Sequence, residues 1–449
     1  SFPTRRSSDL GEVKPEPDDG EWVLDKLDLS GLESWPAHLQ TQAKDLLKSY
    51  SSLFAKHDLD MGRTSLVKHQ IVLTDPVPFK EKYRRIPPQM YEEVRAHLKE
   101  MLDLGAIRES NSPWSSPIVL VRKKDGRLRF CIDLRKLNLR TVKDSYSLPR
   151  IESVLEHLVG ACYFSTLDLK AGYWQVEMAE ECKPFTAFTC GPLGFFECDT
   201  MPFGACNAPA TFQRLMENCL GDLNLTWCLV YLDDIIIFSS TPEEHLERID
   251  AVFKRLQAAG LKLKPSKCSF FKEEISYLGH VVSKDGITTD PKKVEAVVNW
   301  ESPTTVSEVR RFLGFVGFYR RFIKGFSRIA KPLSNLTRGL ESSSKRIAKK
   351  TPVEWGEQEQ NAFQKLKDCL VSAPVLAYAD YNLPFILHTD SSTEGLGAVL
   401  YQMQNGEKRV IAYASRGLSK SEVNYPAHKL EFLALKWAVT EKFHEYLYG

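Results

Sequence analysis

Residues 226–240 read TWCLVYLDDIIIFSS. Two apolar runs rich in β-branched residues flank Asp233 and Asp234, the pattern of a hairpin of two buried strands with the carboxylates at its turn. Adjacent carboxylates repel, and neither is easily buried as an unpaired charge. An Asp pair on an apolar hairpin therefore calls for a counter-charge, and a divalent metal supplies one. Taken alone, Asp-Asp between strands is more often a plain polar turn. The neighbouring stretches decide between the two readings.

Upstream, CYFSTLDLKAGYWQVEM (162–178) reads as a strand ending at Asp168, followed by a Gly-containing bend that exposes Tyr173. Asp233 follows Asp168 by 65 residues. A charge at the end of a buried strand is a candidate site residue, although strand-end Asp also caps turns. Further upstream, SPWSSPIVLVRKKDGRLRFCIDLRKLN (112–138) reads as two strands joined by a Lys-Lys-Asp-Gly turn, gathering Arg122, Lys123, Lys124, Arg127 and Arg129. Basic residues at a surface turn are commonly just solvated. Helical spacing is read over 35–54, 91–104, 147–160, from about 208, and over 243–259, with strands at 69–74 and a strand pair within 262–283. This order predicts an α+β fold, a sheet with helices on one face.

Beyond Asp290 the texture changes. Helices are predicted over 291–299 and 307–328, the second strongly basic. Were it one continuous helix, Arg310, Arg321, Lys324 and Arg328 would share a narrow stripe able to follow a phosphate backbone. Glycines at 314, 317 and 325 argue against continuity. Residues 338–352 read as a polar linker and 357–371 as a helix. LPFILHTDSSTEGLGAVLYQ (383–402) with KRVIAYASR (408–416) makes a small antiparallel sheet carrying Asp390, and a helix over 428–443 carries Glu431.

Composition excludes several classes. The chain has 449 residues, 43% of them hydrophobic, enough for two to four domains with sizeable cores. Lys plus Arg (60) nearly balances Asp plus Glu (58), so any nucleic-acid surface must come from local clustering. Ten cysteines without a C-x-x-C pair point to reduced thiols inside a cell and away from a zinc finger. The eight-residue recurrence of Cys182, Cys190, Cys198 and Cys206 lacks a ligand His and is read as coincidence. No apolar run reaches membrane-spanning length and no secretory signal is present, which predicts a soluble intracellular protein without a membrane partner. SFPTRRSSDL (1–10) matches the in-frame translation of a sequencing adapter and is read as an assembly scar, and 11–30 as a flexible linker.

Seven ordered motifs carry a family resemblance: YRRIPP (83–88), SPWSSPIVLVRKKDGRLRFCIDLRKLN (112–138), FSTLDLKAGYWQV (164–176), MPFGACNAP (201–209), YLDDIIIFS (231–239), YLGHVVS (277–283) and HTDSSTEGLGAVL (388–400). From about Val67 to its end the chain resembles the reverse transcriptase, with a partial RNase H, of a Ty3/gypsy-type LTR retrotransposon Pol polyprotein. The resemblance implies a right-hand polymerase followed by a truncated RNase H-like α/β domain. It divides the chain into the scar (1–10), a linker and N-terminal helix (11–62), fingers and palm (63–288), a thumb-like helical region (289–345), a connecting segment (346–383) and the partial RNase H-like domain (384–449).

By resemblance, Asp168, Asp233 and Asp234 are the polymerase metal ligands for two Mg²⁺ ions, with Mn²⁺ an alternative. Two-metal nucleotidyl transfer needs such a set, because the ions, roughly 3.5–4 Å apart, activate the 3′-hydroxyl and neutralise the leaving pyrophosphate. Lys123 and Arg129 align with triphosphate contacts, and Phe203 and Gly204 fall in the nucleotide-pocket loop. Tyr173 resembles the residue that stacks under the nucleotide sugar and excludes a 2′-hydroxyl. Tyr277, Leu278, Gly279 and His280 resemble the turn that holds the primer terminus. Asp390 and Glu431 match the first two of four acidic RNase H positions, where TDSS stands for the usual TDAS, and an RNase H-inactive chain is expected. The implied partners are RNA template, DNA primer, RNA/DNA hybrid and dNTPs, with a protease upstream and an integrase downstream in the polyprotein, in a cytoplasmic retrotransposon particle. The alternative is a decayed or domesticated fragment that binds nucleic acid without catalysis; loss of one of the three Asp would favour it. A host DNA polymerase fits less well, given the RNase H-like segment.

Overall fold

Short apolar runs broken by Gly, Pro and Asp become strands, and the longer runs with 3.6-residue spacing become helices. The computed structural model describes residues 20–122, 126, 128–338, 348 and 351–448. The described residues fall into two compact units, one within 20–149 and 165–272 and one within 150–164 and 273–448.

The first unit contains helices α1 (Ala37–Ser49) and α2 (Tyr91–Asp103) and most of the strands. In chain order these are β1 (Thr64–His69), β2 (Ile107–Glu109), β3 (Ser116–Arg122), β4 (Leu128–Ile132), β5 (Tyr163–Asp168), β6 (Val176–Met178), β7 (Phe188–Thr189) and β8 (Phe195–Cys198). A five-stranded sheet runs β2-β8-β7-β3-β4. The apolar stripe of α2, Val94, Leu98 and Met101, meets Ile107, Ile118, Phe188 and Phe196 of that sheet in one core. Burying each such side chain contributes about 1.5–3 kcal/mol, so α2 is held by its stripe more than by propensity.

A second sheet sets the site. Helix α3 (Ala208–Leu220) leads to β9 (Cys228–Tyr231) and β10 (Asp234–Ser239), and α4 (Pro242–Ala258) leads to β11 (Ser269–Lys272). The strand order is β11-β5-β10-β9, with α3 packed on β9 and α4 on β10. Fully buried His245 of α4 ties the strands together. Its Nε2 lies 2.8 Å from Ser165 Oγ of β5 and its Nδ1 2.9 Å from Ser239 Oγ of β10, while Ser165 Oγ accepts from Phe271 N of β11 at 3.0 Å. Burial pushes this imidazole down to about 3, so it is a neutral polar pin.

The second unit contains an antiparallel meander of β12 (Glu274–Tyr277), β13 (His280–Ser283) and β14 (Gly286–Thr289). Helices α5 (Pro291–Val298), α6 (Val306–Phe318) and α7 (Glu357–Val371) follow, and Thr305 and Glu308 close a capping box at the start of α6. Strands β15 (Phe385–Ser391), β16 (Gly395–Gln404) and β17 (Glu407–Gly417) form an antiparallel sheet. On it packs α8 (Ala427–Trp437), through a core including Leu396, Ala398, Leu400, Ala434 and Trp437.

Several expectations are corrected. The end of the stretch read as a linker over 11–30 contains a short helix (Glu21–Leu24) and the start of a 3₁₀ turn (Ser30–Ser34), because Val23, Leu32 and Trp35 are buried. The strand expected at 69–74 is β1, ending at His69, and the helix expected at 147–160 covers only Ile151–Glu156. The strand pair read within 262–283 splits: β11 joins the second sheet and β12 pairs with β13. The basic helix is not continuous: α6 ends at Phe318, Arg320–Phe322 is a 3₁₀ turn, and Gly325 takes φ 68° before Phe326–Ile329. Residues 1–19, Lys123, Lys124 and Arg127 of the basic turn, and most of the linker read over 338–352 lie outside the described residues. All ten cysteines are free, and no helix among the described residues is long and apolar enough to cross a membrane.

Candidate functional site

Asp168 closes β5, and the neighbouring β9–β10 hairpin carries the other two carboxylates. Register decides where each lies. Asp234 pairs with Tyr231 and opens β10, leaving Leu232-Asp233 as the two-residue loop. The sequence puts both Asp at the turn; the structure divides them between turn and strand. Leu232 takes φ 55°, a left-handed conformation costing a non-glycine residue roughly 1–2 kcal/mol. Its N–H donates to Gln213 Oε1 of α3 at 2.8 Å.

The three carboxylates are unequally satisfied. Asp168 accepts from Lys267 Nζ at 2.9 and 3.2 Å. Asp233 Oδ1 is buried without a hydrogen-bond partner. Burial, then the charges of Asp234 and Asp168, push the Asp233 carboxyl up to about 6. Asp234 reaches the surface, but the apolar strands beside it and the charge of Asp168 raise its carboxyl too. Lys267 opposes both shifts and is the counter-charge the hairpin required. Three hard oxygen donors with one orphaned oxygen suit Mg²⁺ or Mn²⁺. Lys267 sits on Asp168, and among the described residues no three His, Cys, Asp or Glu side chains are grouped to hold an ion.

A cavity of about 540 Å³ lies beside this cluster, lined by Arg129 of β4, Phe130, Trp174, Thr200, Phe203 and Lys267, among others. Lys267 thus touches both the cavity and Asp168. Tyr173 stacks on Phe203 with ring centroids 5.1 Å apart and tilts against Phe212 at 5.3 Å. Burial, then Asp233, push its hydroxyl up to about 12, so it stays neutral. Gly172 precedes it, where a Cβ would come within 2.8 Å of Phe212 Cζ. Gly204 takes φ 97° and its carbonyl accepts from Asn138 Nδ2 at 2.8 Å.

In the second unit, Tyr277 and His280 flank the β12–β13 turn, where Leu278 and Gly279 take φ 48° and 79°. Both flanking side chains are buried, His280 between Phe318, Tyr319 and Phe322, and only Leu278 and Gly279 come near the surface. Tyr319 O–H anchors the turn by donating to Gly279 O at 2.6 Å. Burial pushes His280 down to about 4. The proposed basic stripe is broken up. Arg310 lies on α6, but Arg321 is only 7% exposed, in a cavity with Glu156 and Tyr446 that removes it from any surface stripe. Exposed Lys324 and Arg328 line a cavity of about 390 Å³ with His388, Asp390 and Tyr401. Asp390 is exposed on β15, and Glu431 is exposed on α8 outside that cavity's lining.

Sequence reading missed two residues that the fold brings to the carboxylates. Lys267 lay in a stretch read as strand, and Gln213 in a helix read only for its apolar face. A lysine beside Pro265 in KPSKC and a fully buried polar residue on an otherwise apolar helical stripe are the available signals.

Residues 121–282 match the reverse transcriptase (RNA-dependent DNA polymerase) family, and residues 355–449 the RNase H-like domain found in reverse transcriptase. The chain carries a reverse transcriptase domain followed by an RNase H-like domain. It is 42% identical over 412 residues to the Pol polyprotein of Drosophila melanogaster transposon 297, covering 90% of this chain and 37% of that protein. It is likewise 42% identical over 425 residues to the Pol polyprotein of the Drosophila melanogaster transposon gypsy, covering 92% and 40%. This reverse transcriptase chain therefore spans about two fifths of the length of these relatives. Its fold is shared with a foamy viral protease-reverse transcriptase solved with double-stranded DNA, at TM-score 0.83 and 23% identity, over 99% of this chain and 75% of that one. The fold is that of a reverse transcriptase domain followed by an RNase H-like domain.

Proposed function

We propose that this segment is an RNA-directed DNA polymerase that extends a DNA primer on an RNA template. The carrying observation is the convergence of Asp168, Asp233 and Asp234 on adjoining strand ends, with Asp233 Oδ1 orphaned, beside a cavity lined by Arg129. The carboxylates would hold two Mg²⁺ ions, or Mn²⁺, which supply activation of the primer 3′-hydroxyl and charge neutralisation at the leaving pyrophosphate. Arg129, Lys267 and Lys123 would bind the dNTP triphosphate, the geometry for which guanidinium and ammonium groups are suited. Tyr173, braced by Phe203 and Phe212, would close the space a ribose 2′-hydroxyl needs, since a packed ring cannot yield to one more oxygen. Phe203 and Gly204 shape the entrance, the Leu278-Gly279 turn would support the primer end, and Arg310 would contact the backbone. Asp390 and Glu431 belong to the hybrid-processing half. The expected setting is a retrotransposon particle, with protease and integrase regions of the same polyprotein as partners.

Primer extension on an RNA template with Mg²⁺ and dNTPs, wild type against Asp233→Asn, tests the reading. Extension by the wild type and its loss in the variant is expected. Extension that persists in the variant overturns the carboxylate assignment, and none in either favours a non-catalytic nucleic-acid binder.

A further inference from the structure

The left-handed backbone at Leu232 has to be held by something, and the side chain that holds it is itself held. Gln213 on α3 is fully buried; its Oε1 accepts from Leu232 N at 2.8 Å and its Nε2 donates to Glu217 Oε1 at 2.7 Å, one helical turn on. A primary amide can present either end, and the wrong end would set an N–H₂ against the Leu232 N–H. The Glu217 carboxylate, an acceptor only, removes that ambiguity by demanding the Nε2 side. Its other oxygen, Oε2, accepts from the Tyr146 hydroxyl. Burial, then Glu217, push that hydroxyl up to about 12, so it remains a donor. Tyr146 is fixed in turn: Arg214 lies 4.7 Å above its ring and pairs with Asp144 at 2.9 Å, and Tyr146 N donates to Asp144 Oδ1 at 2.9 Å. Two lines of donors thus converge on the Glu217 carboxylate, one from Leu232 N through Gln213 and one from the Tyr146 hydroxyl.

We propose that Tyr146, Glu217 and Gln213 form a positioning relay that locks the Leu232 backbone and thereby aims Asp233 at its cation. The relay touches no reacting atom. It acts through the turn, whose strained residue immediately precedes Asp233, and breaking it frees the backbone to leave the left-handed region. The proposal rests on the polymerase reading for its catalytic consequence, though not for its structural one.

The test uses the full chain and three measurements on wild type, Gln213→Leu, Glu217→Leu and Glu217→Gln: hydrogen exchange of a peptide spanning residues 228–236, Mn²⁺ affinity by electron paramagnetic resonance, and primer-extension kinetics. The leucine variants are expected to exchange the Leu232 amide at least about tenfold faster, to bind Mn²⁺ several-fold more weakly, and to lose about tenfold in kcat with KM for dNTP within twofold, about the worth of one hydrogen bond. Glu217→Gln keeps one acceptor oxygen for Gln213 Nε2 and can turn its N–H₂ to the Tyr146 hydroxyl oxygen, so it should recover most of the loss. Unchanged exchange and Mn²⁺ affinity in Glu217→Leu overturn the relay, as does a Glu217→Gln variant as damaged as Glu217→Leu. Gln213→Leu removes a buried polar group from α3, so Glu217→Gln decides where that variant fails to fold. A wild type that extends no primer would sink the polymerase reading while leaving the exchange and Mn²⁺ results to judge the relay.

Discussion

The chain carries two sets of acidic residues, and they sit in opposite physical surroundings. Asp233 is half-buried on an apolar hairpin, repelled by Asp234 and Asp168, with one oxygen unpartnered and a lysine drawn onto its neighbour. Asp390 and Glu431 stand exposed to water on β15 and α8. A charge kept out of water against its own interest has to be offset by what it does, whereas an exposed carboxylate needs no such account. The first set is proposed as a site on its energetics; the second is expected to be one on resemblance alone.

The largest effect tests that contrast directly. Asp168→Asn and Asp233→Asn should each cut primer extension by roughly 10²–10³-fold, the scale of removing a preorganised electrostatic group. Asp233→Asn should at the same time stabilise the protein. The folded-state carboxyl lies near 6, above its ordinary 3.8, so the folded protein binds the extra proton between these values and stability falls as pH rises through that window. At pH 7.5 the asparagine escapes this penalty, and a melting temperature higher by ~2 °C or more is expected, with the gain shrinking toward pH 4. A variant that is both inactive and less stable would break the comparison.

Next in size is Tyr173→Ala, which opens the space the ring fills against Phe203 and Phe212. Discrimination against ribonucleotides should relax by about 10-fold or more, measured as the ratio of kcat/KM for dNTP and rNTP. An unchanged ratio counts against the aromatic gate. Lys267→Met is expected to be smaller and pH-dependent. Lys267 holds the Asp233 carboxyl down, so its loss lifts that group further above about 6 and moves the acid limb of the pH–rate profile to higher pH. Activity at pH 6 should fall several-fold more than at pH 8; a uniform loss at both would assign Lys267 to dNTP binding alone.

Local pattern carried much of this. The two continuous apolar, β-branched-rich runs of 226–240 gave the hairpin, and the 3.6-residue spacing of Tyr91–Asp103 and Glu357–Val371 gave α2 and α7 nearly to the residue. What it missed was decided by register and by distance. Which Asp occupies the turn depends on Asp234 pairing with Tyr231, and a one-residue difference there is invisible in an Asp-Asp dipeptide. Lys267 reaches Asp168 from 99 residues away, because β11 adds to β5 in a sheet whose order no local signal specifies. Arg321 shows the converse error: its charge placed it on a surface stripe, while Phe322 and Ile323 beside it drew that turn into the core. Family resemblance supplied the roles but not the burial, as buried Tyr277 and His280 demonstrate.

The smallest expected effect sharpens the contrast most. Asp390 is exposed on β15, in a cavity it shares with Lys324 and Arg328. Without a desolvation penalty to relieve, Asp390→Asn should change stability by no more than about 0.5 kcal/mol at any pH from 5 to 8, unlike Asp233→Asn. Primer extension should also be unchanged, since its chemistry is assigned to the other carboxylates. Paired melting curves for the two variants over that pH range decide the matter. If Asp390→Asn stabilised the protein as much as Asp233→Asn, burial would not be what separates the two acidic sets, and the energetic argument for the hairpin site would lose its footing.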